Sequence, residues 1–479
     1  GVGKTRLSEE LMRQAEREGL QSFVGHCHEM AGAQPYIPII EIFEQALTRA
    51  PSPLAFRQYL GEDAPEVARL VPRLRQLCPD IPPPLELPAE QERRHLFNSV
   101  WEVLARTART QPSLLVLDDL HWADEPTMLL VQHLAERAAD VPLLIVGLYR
   151  DSELDVGRPL SRTFEDLIRR RLAHRMTLQR LPEATVAQMV AGLAGQKAPP
   201  RLVEVLYAEA EGNPFFTEEV FKHLAEEGRL FDADGSFRTD LSVDELDVPE
   251  GVRLVVGHRL RRLGDDGAKA LGSAAVIGRV FSFELLQVVE EILEDPLLDV
   301  IERAERAGLI VSLEDRSDED RFMFAHELIR QTVLAELSAP RRRRLHVRTA
   351  EALERVYAGN LRAQAATIAH HLLEAGPAAD PKRTFRYFAL AGEAALESAA
   401  YEEALRYFEQ ARSMTELATA REVADLLFGL GRAQRSLGDW ELAMENWREA
   451  LDAYASLGEA EDVSQLCWEL AWQMNMEGR

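Results

Sequence analysis

The first residues of the chain have the types and order needed to hold a phosphate group. They match the second half of the pattern G-x-x-x-x-G-K-[ST]. In that pattern glycines let backbone N–H groups approach phosphate oxygens, the lysine ammonium lies against the β- and γ-phosphates, and the hydroxyl ligates Mg²⁺. The N-terminus of the helix that follows also favours an anion. The residues predicted to bind ATP or ADP are Gly1, Val2, Gly3, Lys4, Thr5 and Arg6.

Within this set Thr5 is also predicted to ligate Mg²⁺, and Lys4 is predicted to act in catalysis. An ordinary glycine turn at the start of a helix is the alternative interpretation. A second motif at a plausible distance along the chain favours the phosphate site.

That second motif is a pair of carboxylates after the apolar run Ser113 to Leu117. A carboxylate at the carboxyl end of a parallel strand lies where Mg²⁺ and a polarised water must be held. We predict that Asp118 binds Mg²⁺ through water and that Asp119 orients the attacking water. Two carboxylates that cap the strand end are the alternative.

A third candidate is an arginine after the next strand-like run. The run Leu143 to Gly147 is followed by Tyr149, Arg150 and Asp151. An arginine at this position can reach the γ-phosphate, so Arg150 completes the predicted catalytic set with Lys4 and Asp119. A surface arginine paired to a nearby carboxylate is the alternative.

Residues 1–180 alternate helical and strand patterns around these motifs. The runs Leu114 to Leu117 and Leu143 to Val146 are continuous and apolar, which is typical of strands buried on both faces of a parallel sheet. The shorter run Ser22 to Gly25 is also predicted as a strand. We therefore predict an α/β P-loop NTPase domain over residues 1–180, with a parallel sheet and helices on both faces.

Helical patterns dominate the next two segments. Residues 181–245 are predicted to form an all-α lid, and the acidic, glycine-containing stretch Asp232 to Asp247 at its end is predicted as a small β-turn or loop. Residues 246–340 are predicted to form a winged-helix-like subdomain, because the short apolar runs Leu309 to Val311 and Arg321 to Phe324 flank a polar turn after several helices.

Residues 341–479 are alanine-rich and contain an internal repeat. When Ala404 is aligned with Ala443, Gly392 meets Gly431 and Phe408 meets Trp447, and a third copy begins near Cys467. Small residues at the helix crossing beside large ones are typical of tetratricopeptide (TPR) repeats, although this period is longer than their usual length of about 34 residues. We predict an α-solenoid with a concave binding surface. Its first helix opens with Arg341 to Arg344, predicted to be a solvated face.

The composition narrows the possible partners. A net charge of −25 argues against broad binding to nucleic acid or anionic lipid. The sequence has no apolar run of membrane-spanning length, and its three scattered cysteines fit a reducing compartment. These features predict a cytoplasmic protein, and the preference for arginine over lysine suggests a bacterial source.

Both ends of the sequence suggest a fragment. The first residue is Gly1 rather than Met, and the last residues stop inside a predicted helix. The first glycine of the phosphate motif and the strand before it would then be missing. A sheet without this strand would contain a gap in its core, and cavities of that kind lower the stability of a protein by several kcal/mol. We therefore expect residues 1–479 alone to fold poorly in their first domain and to bind nucleotide weakly.

Together, three stretches of sequence resemble the bacterial STAND signalling ATPases. They are Val116 to Asp124, Tyr149 to Asp151 and Glu211 to Phe216. These AAA-like modules occur in large LuxR-type regulators and in fusions with nucleotide cyclases. The resemblance implies that a Gly-x-Pro motif, here Gly212 to Pro214, packs on the adenine. A structural proline at a helix start is the alternative for Pro214.

The segment Phe324 to Arg330 is similar to the Met-His-Asp motif of related switches. In those proteins the histidine contacts the β-phosphate of ADP and holds the closed state. The similarity therefore implies that His326 binds ADP. A histidine that caps the winged-helix core is the alternative.

The resemblance implies a signal-transduction switch that ADP closes, ATP opens and slow hydrolysis resets. The repeats would bind a protein or small-molecule inducer, and nucleotide would control oligomer formation. A missing effector, either a transcriptional regulator or a nucleotide cyclase, would provide the output and any contact with DNA. The alternatives are an origin-recognition-like or motor AAA+ ATPase that remodels nucleic acid or protein, and a scaffold with a purely structural nucleotide site.

Overall fold

The computed structural model describes residues 2–27, 34–150, 159–232, 235–238, 252–313 and 320–476. The chain forms two compact units. The first unit contains Gly1–Leu11 and Arg175–Arg342, and the second contains Met12–His174 and Arg343–Arg479. Each unit contains buried apolar residues that form a core of its own.

The second unit contains a three-stranded parallel sheet. Its strands are β1 (Gln21–His26), β2 (Ser113–Asp118) and β3 (Leu143–Gly147), in the order β1-β2-β3. Every residue of β2 is buried, so both faces of this central strand are covered. The parallel sheet predicted from the continuous apolar runs is confirmed, and it directs the carboxyl ends of all three strands to one edge.

Within the described part of residues 2–174, eight helices lie before, between and after these strands in the sequence. They are α1 (Lys4–Arg17), α2 (Ile37–Arg49), α3 (Pro53–Leu60), α4 (Ala64–Leu70), α5 (Pro72–Leu77), α6 (Ala89–Thr110), α7 (Glu125–Ala135) and α8 (Pro159–Arg169). Helix α2 begins at Ile37. Tyr36 adopts a left-handed conformation just before it, and Pro38 occupies the first turn, where the absence of an N–H carries no penalty.

The first unit contains a helical segment that corresponds to the predicted lid. Its helices are α9 (Glu183–Ala194), α10 (Pro200–Ala210) and α11 (Pro214–Glu226), which share one apolar cluster. After α11, Phe231 and Phe237 form an antiparallel bridge. Most of the predicted acidic loop, residues 233–234 and 239–247, lies outside the described residues.

A second part of the first unit combines five helices with a small antiparallel sheet. The helices are α12 (Val252–Arg262), α13 (Gly264–Ile277), α14 (Phe283–Glu290), α15 (Glu294–Arg306) and α16 (Glu327–Ala335), and the strands are β4 (Val280–Ser282), β5 (Ile310–Leu313) and β6 (Arg321–Phe324). The strand order is β4-β6-β5. This arrangement confirms the winged-helix-like prediction and adds β4, which has only three residues and therefore shows no alternation in the sequence.

The C-terminal part of the second unit is helical. Its helices are α17 (Ala339–Val356), α18 (Leu361–Ala375), α19 (Pro381–Glu397), α20 (Tyr401–Arg412), α21 (Ala420–Ser436), α22 (Trp440–Leu457) and α23 (Ala460–Met476). A methyl group added at Gly392 would lie 2.5 Å from the Phe408 ring, and one added at Gly431 would lie 2.4 Å from Nε1 of Trp447. The aligned glycines thus meet the aligned aromatic rings, which confirms the predicted helical repeats.

The basic run at the start of α17 is exposed. Arg341 to Arg344 face solvent, while Leu345 and Leu353 are buried on the other side of the helix. The prediction of a solvated basic face is confirmed.

A buried pair of imidazole rings joins α17 and α18. The Nδ1 atoms of His346 and His371 lie 2.9 Å apart, so one ring donates a hydrogen bond to the other. Burial lowers the pKa of His371 well below its usual value, and the nearby His370 and His346 lower that pKa further. The folded protein therefore keeps the His371 ring neutral.

We expect this burial to make the protein less stable at mildly acidic pH. Unfolded histidine gains a proton near pH 6.5, whereas folded His371 resists protonation. Its contribution to stability is therefore kept above pH 6.5 and falls by about 1.4 kcal/mol for each pH unit below that value, until the folded pKa is reached. Urea unfolding at pH 7.5 and 5.5 checks this, because His371→Gln should reduce the difference between the two. The same substitution at exposed His174 is the control, and an equal pH dependence in all three proteins would contradict the prediction.

Candidate functional site

The phosphate motif leads directly into α1. Gly3 has a φ of 93°, a left-handed conformation that glycine adopts without strain, and the helix begins at Lys4. The N–H of Leu7 donates to the carbonyl of Gly3 over 2.9 Å, which closes the first turn. Earlier N–H groups of a helix have no intrahelical acceptor and can therefore bind an anion. Gly1, also predicted to bind phosphate, lies outside the described residues.

The Gly-x-Pro motif forms a tight turn at the start of α11. Gly212 has a φ of 73°, and its carbonyl accepts a hydrogen bond of 2.7 Å from the N–H of Leu181. A methyl group at Gly212 would lie 2.1 Å from the Leu181 oxygen, so this position requires glycine. Asn213 caps the helix by accepting from the N–H of Phe215, and Pro214 is the first helical residue. Pro214 therefore has the structural role that was the alternative to adenine binding, that of a proline at a helix start.

Within the first unit the phosphate motif and the Gly-x-Pro turn lie side by side. A methyl group added at Gly3 would be 3.9 Å from Cγ of Pro214. The next residue, Phe215, stacks on His326 with ring centroids 3.9 Å apart and ring planes 18° apart. Gly3 thus lies beside Pro214, and the residue after Pro214 stacks on His326, so three predicted nucleotide-binding positions from distant segments lie near one another.

His326 is the N-cap of α16. Its Nδ1 accepts a hydrogen bond of 3.1 Å from the N–H of Leu328. A nitrogen that accepts carries no proton, so the neutral ring carries its proton on Nε2. Beside it, buried Glu327 forms an ion pair with Arg330. His326 therefore caps a helix of the winged-helix-like part, which was the alternative interpretation of this residue. In this arrangement Nε2 is the ring nitrogen that can donate a hydrogen bond.

In the second unit, the two predicted carboxylates end β2. Asp118 is 4% exposed, and one of its carboxylate oxygens accepts from the N–H of Asp119 over 2.8 Å. Asp119 has a φ of 53°, a left-handed conformation that aspartate tolerates better than most residues. The chain then turns into a short 3₁₀ helix, Leu120–Trp122. The backbone of Leu148 bonds to that of Leu117 and Leu120, which fixes this turn against the end of β3.

Negative charge is concentrated near this edge of the sheet. Burial raises the pKa of the Cys27 thiol well above its usual value, and the carboxylates of Asp124, Glu41, Asp119 and Asp118 raise it further. Burial also raises the pKa of Asp124, whose side chain caps α7 by accepting from the N–H of Thr127. Carboxylate oxygens are the type of ligand that Mg²⁺ prefers, although within the described residues no three or more His, Cys, Asp or Glu side chains come together to hold a metal ion. The Mg²⁺ role of Asp118 and Thr5 therefore stays a prediction.

Arg150 follows β3 in a segment without regular structure. The neighbouring Tyr149 ring lies 4.7 Å from that of Phe164 in α8, which holds this segment on the domain. The carboxylates considered as surface partners, Asp151 and Glu153, lie outside the described residues. The catalytic role of Arg150 therefore stays a prediction.

The structure adds two residues that sequence reasoning did not select. Phe215 connects the Gly-x-Pro turn to His326 by stacking. Asp124 is a half-buried helix cap, and an aspartate directly before a helix start is a capping signal that the sequence contains. Trp122 packs against the core of its unit, and the centroid of the His121 ring lies 4.9 Å from the centroid of its ring.

A parallel sheet with carboxylates at a strand end and a glycine turn before a helix are each features of ATPase domains of the P-loop class. Residues 1–146 match the family model described as the AAA ATPase domain. The AAA-like ATPase domain predicted from the motifs is thereby confirmed for this segment.

A solved structure is also similar to the chain. It is that of a Signal Transduction ATPase with Numerous Domains (STAND) protein with a tetratricopeptide repeat sensor from Pyrococcus horikoshii. The two chains are 13% identical, the alignment covers 98% of this chain and 74% of the other, and the TM-score is 0.38. No curated protein matches the chain. Among the described residues, no helix is long and apolar enough to cross a membrane.

Proposed function

We propose that the protein is an ATP-binding and ATP-hydrolysing signal-transduction switch of the STAND type, closed with ADP and open with ATP. The match to the AAA ATPase domain supports the nucleotide chemistry. The observation that carries the switch is the link within the first unit from Gly3 through Pro214 and Phe215 to His326. This link connects the phosphate motif to the winged-helix-like part.

The predicted catalytic and metal-binding residues have different roles in ATP hydrolysis. Lys4 places positive charge on the β- and γ-phosphates, and Mg²⁺ would be held by Thr5 and, through water, by Asp118. When bound, Mg²⁺ neutralises charge that develops on the phosphates. Asp119 orients the attacking water, and Arg150 stabilises the γ-phosphate as charge develops on it.

His326 makes the protein sensitive to which nucleotide is bound. Its Nε2–H is the group that would donate to a β-phosphate, because Nδ1 accepts the capping hydrogen bond of α16. Helix α16 packs on α12 and α13. A phosphate held by His326 therefore restrains the whole winged-helix-like part, and its release frees that part. This is the physical basis for a closed state with ADP.

The proposed switch has four parts: the ATPase domain in residues 1–180, the lid in 181–245, the winged-helix-like part in 246–340 and the repeats in 341–479. In it the repeats bind an inducer, either a protein or a small molecule, and nucleotide controls oligomer formation. An effector, a transcriptional regulator or a nucleotide cyclase, carries any contact with DNA. The switch acts in the cytoplasm.

The test is the nucleotide content of the purified protein. With the strand expected before the phosphate motif supplied, wild type should release about one ADP per chain on denaturation, and Lys4→Ala should release none. His326→Ala and His326→Asn should bind ADP about 10- to 150-fold more weakly, which is the loss expected for one hydrogen bond to a charged group. Asparagine retains a capping acceptor, so His326→Asn separates nucleotide binding from folding.

Lys197→Ala and His174→Ala, both at exposed positions, are the controls and should keep ADP. A wild-type protein that purifies empty and turns over ATP rapidly would contradict the switch and indicate a motor. Unchanged ADP affinity in both His326 variants would leave that residue only its capping role.

A further inference from the structure

A buried ion pair joins the lid to the winged-helix-like part within the first unit. Nη1 of Arg259 in α12 donates to a carboxylate oxygen of Glu219 in α11 over 2.7 Å. Arg259 is 3% exposed and Glu219 is 4% exposed. Ionised side chains are rarely buried so completely unless they are paired. Neither residue belongs to the predicted nucleotide site, so the pair acts on the contact between the two helices.

The pair lies on the same face of α11 as the aromatic ring that contacts His326. Phe215 and Glu219 are four residues apart in this helix, and residues at that spacing project from one face. Phe215 stacks on His326, the N-cap of α16, and α16 packs on α12. One face of α11 therefore contacts the winged-helix-like part at two points, through an aromatic stack and through an ion pair.

A second, exposed ion pair lies further along the same face of α11. Glu226 is seven residues after Glu219 and is paired with Arg262 over 3.0 Å. Its other carboxylate oxygen lies 3.7 Å from Nη2 of Arg259. Glu226 and Arg262 are both exposed, and ion pairs in water contribute little to stability. The pair of Glu219 and Arg259 is thus the charged contact that is shielded from solvent.

The buried pair is incompletely compensated by its surroundings. Within the described part of the chain, Nε and Nη2 of Arg259 have no hydrogen-bond partner. Burial raises the pKa of Glu219, and the charge of Arg259 opposes that rise. Such a pair adds little net stability because both charges lose their hydration, whereas removal of one partner leaves an unpaired buried charge and is strongly unfavourable. Separation of α11 from α12 would return water to both charges, so the pair suits a contact that opens and closes.

We propose that Glu219 and Arg259 are positioning residues for His326. Their ion pair holds α11 against α12, which keeps Phe215 stacked on the imidazole ring and fixes that ring where Nε2 donates to the β-phosphate of ADP. The pair forms only while the lid and the winged-helix-like part are in contact, so it favours the state closed with ADP. This role deepens the proposed function and rests on it, because the pair affects nucleotide only if His326 contacts it.

The test compares ADP and ATP binding by Arg259→Met, in the whole chain with the strand expected before the phosphate motif supplied. Methionine is of similar length but uncharged, so the variant leaves the Glu219 charge unpaired and favours separation of the two helices. A fluorescent ADP analogue should dissociate at least about 10-fold faster, up to the loss expected for His326→Ala. ATP affinity should stay close to that of wild type, because the proposed open state binds ATP. A general loss of folding would instead weaken the binding of both nucleotides.

A double-mutant cycle shows whether the pair acts through the imidazole ring. In the His326→Ala background there is no ring to position, so Arg259→Met should no longer change the rate of ADP dissociation. An equal acceleration with and without the His326 ring would overturn the proposal.

An apolar replacement of both partners separates positioning from folding. Glu219→Leu combined with Arg259→Met removes both buried charges and should return ADP dissociation to the wild-type rate or below it, because an uncharged contact again joins α11 to α12. Lys222→Met is the matched control: it breaks an exposed ion pair with Glu218 in the same helix and should leave ADP dissociation unchanged.

The outcomes distinguish a failure of this proposal from a failure of the switch. If wild type holds no ADP, the proposed function fails and the positioning role fails with it. If wild type holds ADP and His326→Ala releases it, but Arg259→Met behaves as wild type, only the positioning role is overturned. If Arg259→Met loses ADP and ATP alike and the double replacement restores neither, the pair serves the fold alone, which also overturns the positioning role.

Discussion

Asp119→Asn is expected to lower the rate of ATP hydrolysis by about 10²- to 10⁴-fold, the usual contribution of a group that positions or deprotonates an attacking water. ATP binding should remain, because Lys4 and the helix N-terminus provide most of the contacts to phosphate. Asparagine is isosteric with aspartate and tolerates the left-handed backbone observed at this position. A loss of activity would therefore report the missing charge and not a change in the turn.

Single-turnover hydrolysis of labelled ATP measures the chemical step, and equilibrium binding of ATP is measured in parallel. Glu125→Gln is the matched control, because Glu125 is an exposed acid six residues further along the same segment. If Asp119→Asn hydrolyses ATP at the wild-type rate, Asp119 serves only to form the turn after β2. Another group would then have to orient the attacking water.

The sequence was most informative where a segment has one dominant requirement. The central strand β2 is buried on both faces, so its run of apolar residues could be identified without knowledge of its neighbours. The repeat could also be predicted, because Gly392 and Gly431 both lie against an aromatic ring and both positions therefore require glycine. Such constraints are local in sequence or recur along it, which makes them visible in a single chain.

Tertiary arrangement could not be predicted in the same way. The sequence does not show that Phe215 stacks on His326, because nothing in either segment specifies a partner more than 100 residues away. Nor does it show that residues 1–11 group with residues 175–342, which depends on contacts formed only in the folded chain. The short helices α3 to α5 were also missed, since segments of six to eight residues show too few turns for a helical period.

The candidate site shows the same difference between features that the sequence specifies locally and features that depend on the fold. Lys4, Thr5, Asp118 and Asp119 could be predicted because phosphate and Mg²⁺ restrict the residue types that can bind them. For Pro214 and His326 the sequence left two interpretations open, and the structure shows that each has its structural role. A helix cap and a nucleotide contact can use the same residue, because they use different atoms of it.

The repeats provide the second large expected effect. Phe408 is 1% exposed and packs between two glycines: added methyl groups would lie 2.5 Å from its ring at Gly392 and 2.6 Å from it at Gly429. Phe408→Ala should lower the free energy of unfolding by about 3–5 kcal/mol, as is usual for a buried phenylalanine. Gly392→Ala should lower it by about 1–3 kcal/mol, because the ring must shift to accommodate the methyl group.

A double-mutant cycle tests whether these two losses share one contact. In the Phe408→Ala background the ring is absent, so Gly392→Ala should cost little, and the two changes should be coupled by about 1–3 kcal/mol. Urea unfolding followed by circular dichroism gives the four free energies. Gly192→Ala is the matched control: it lies in α9 with nothing within 4 Å of an added methyl group, and it should stabilise that helix by up to about 1 kcal/mol. If Gly392→Ala cost the same with and without the Phe408 ring, close packing of glycine against aromatic would not be what holds these helices together.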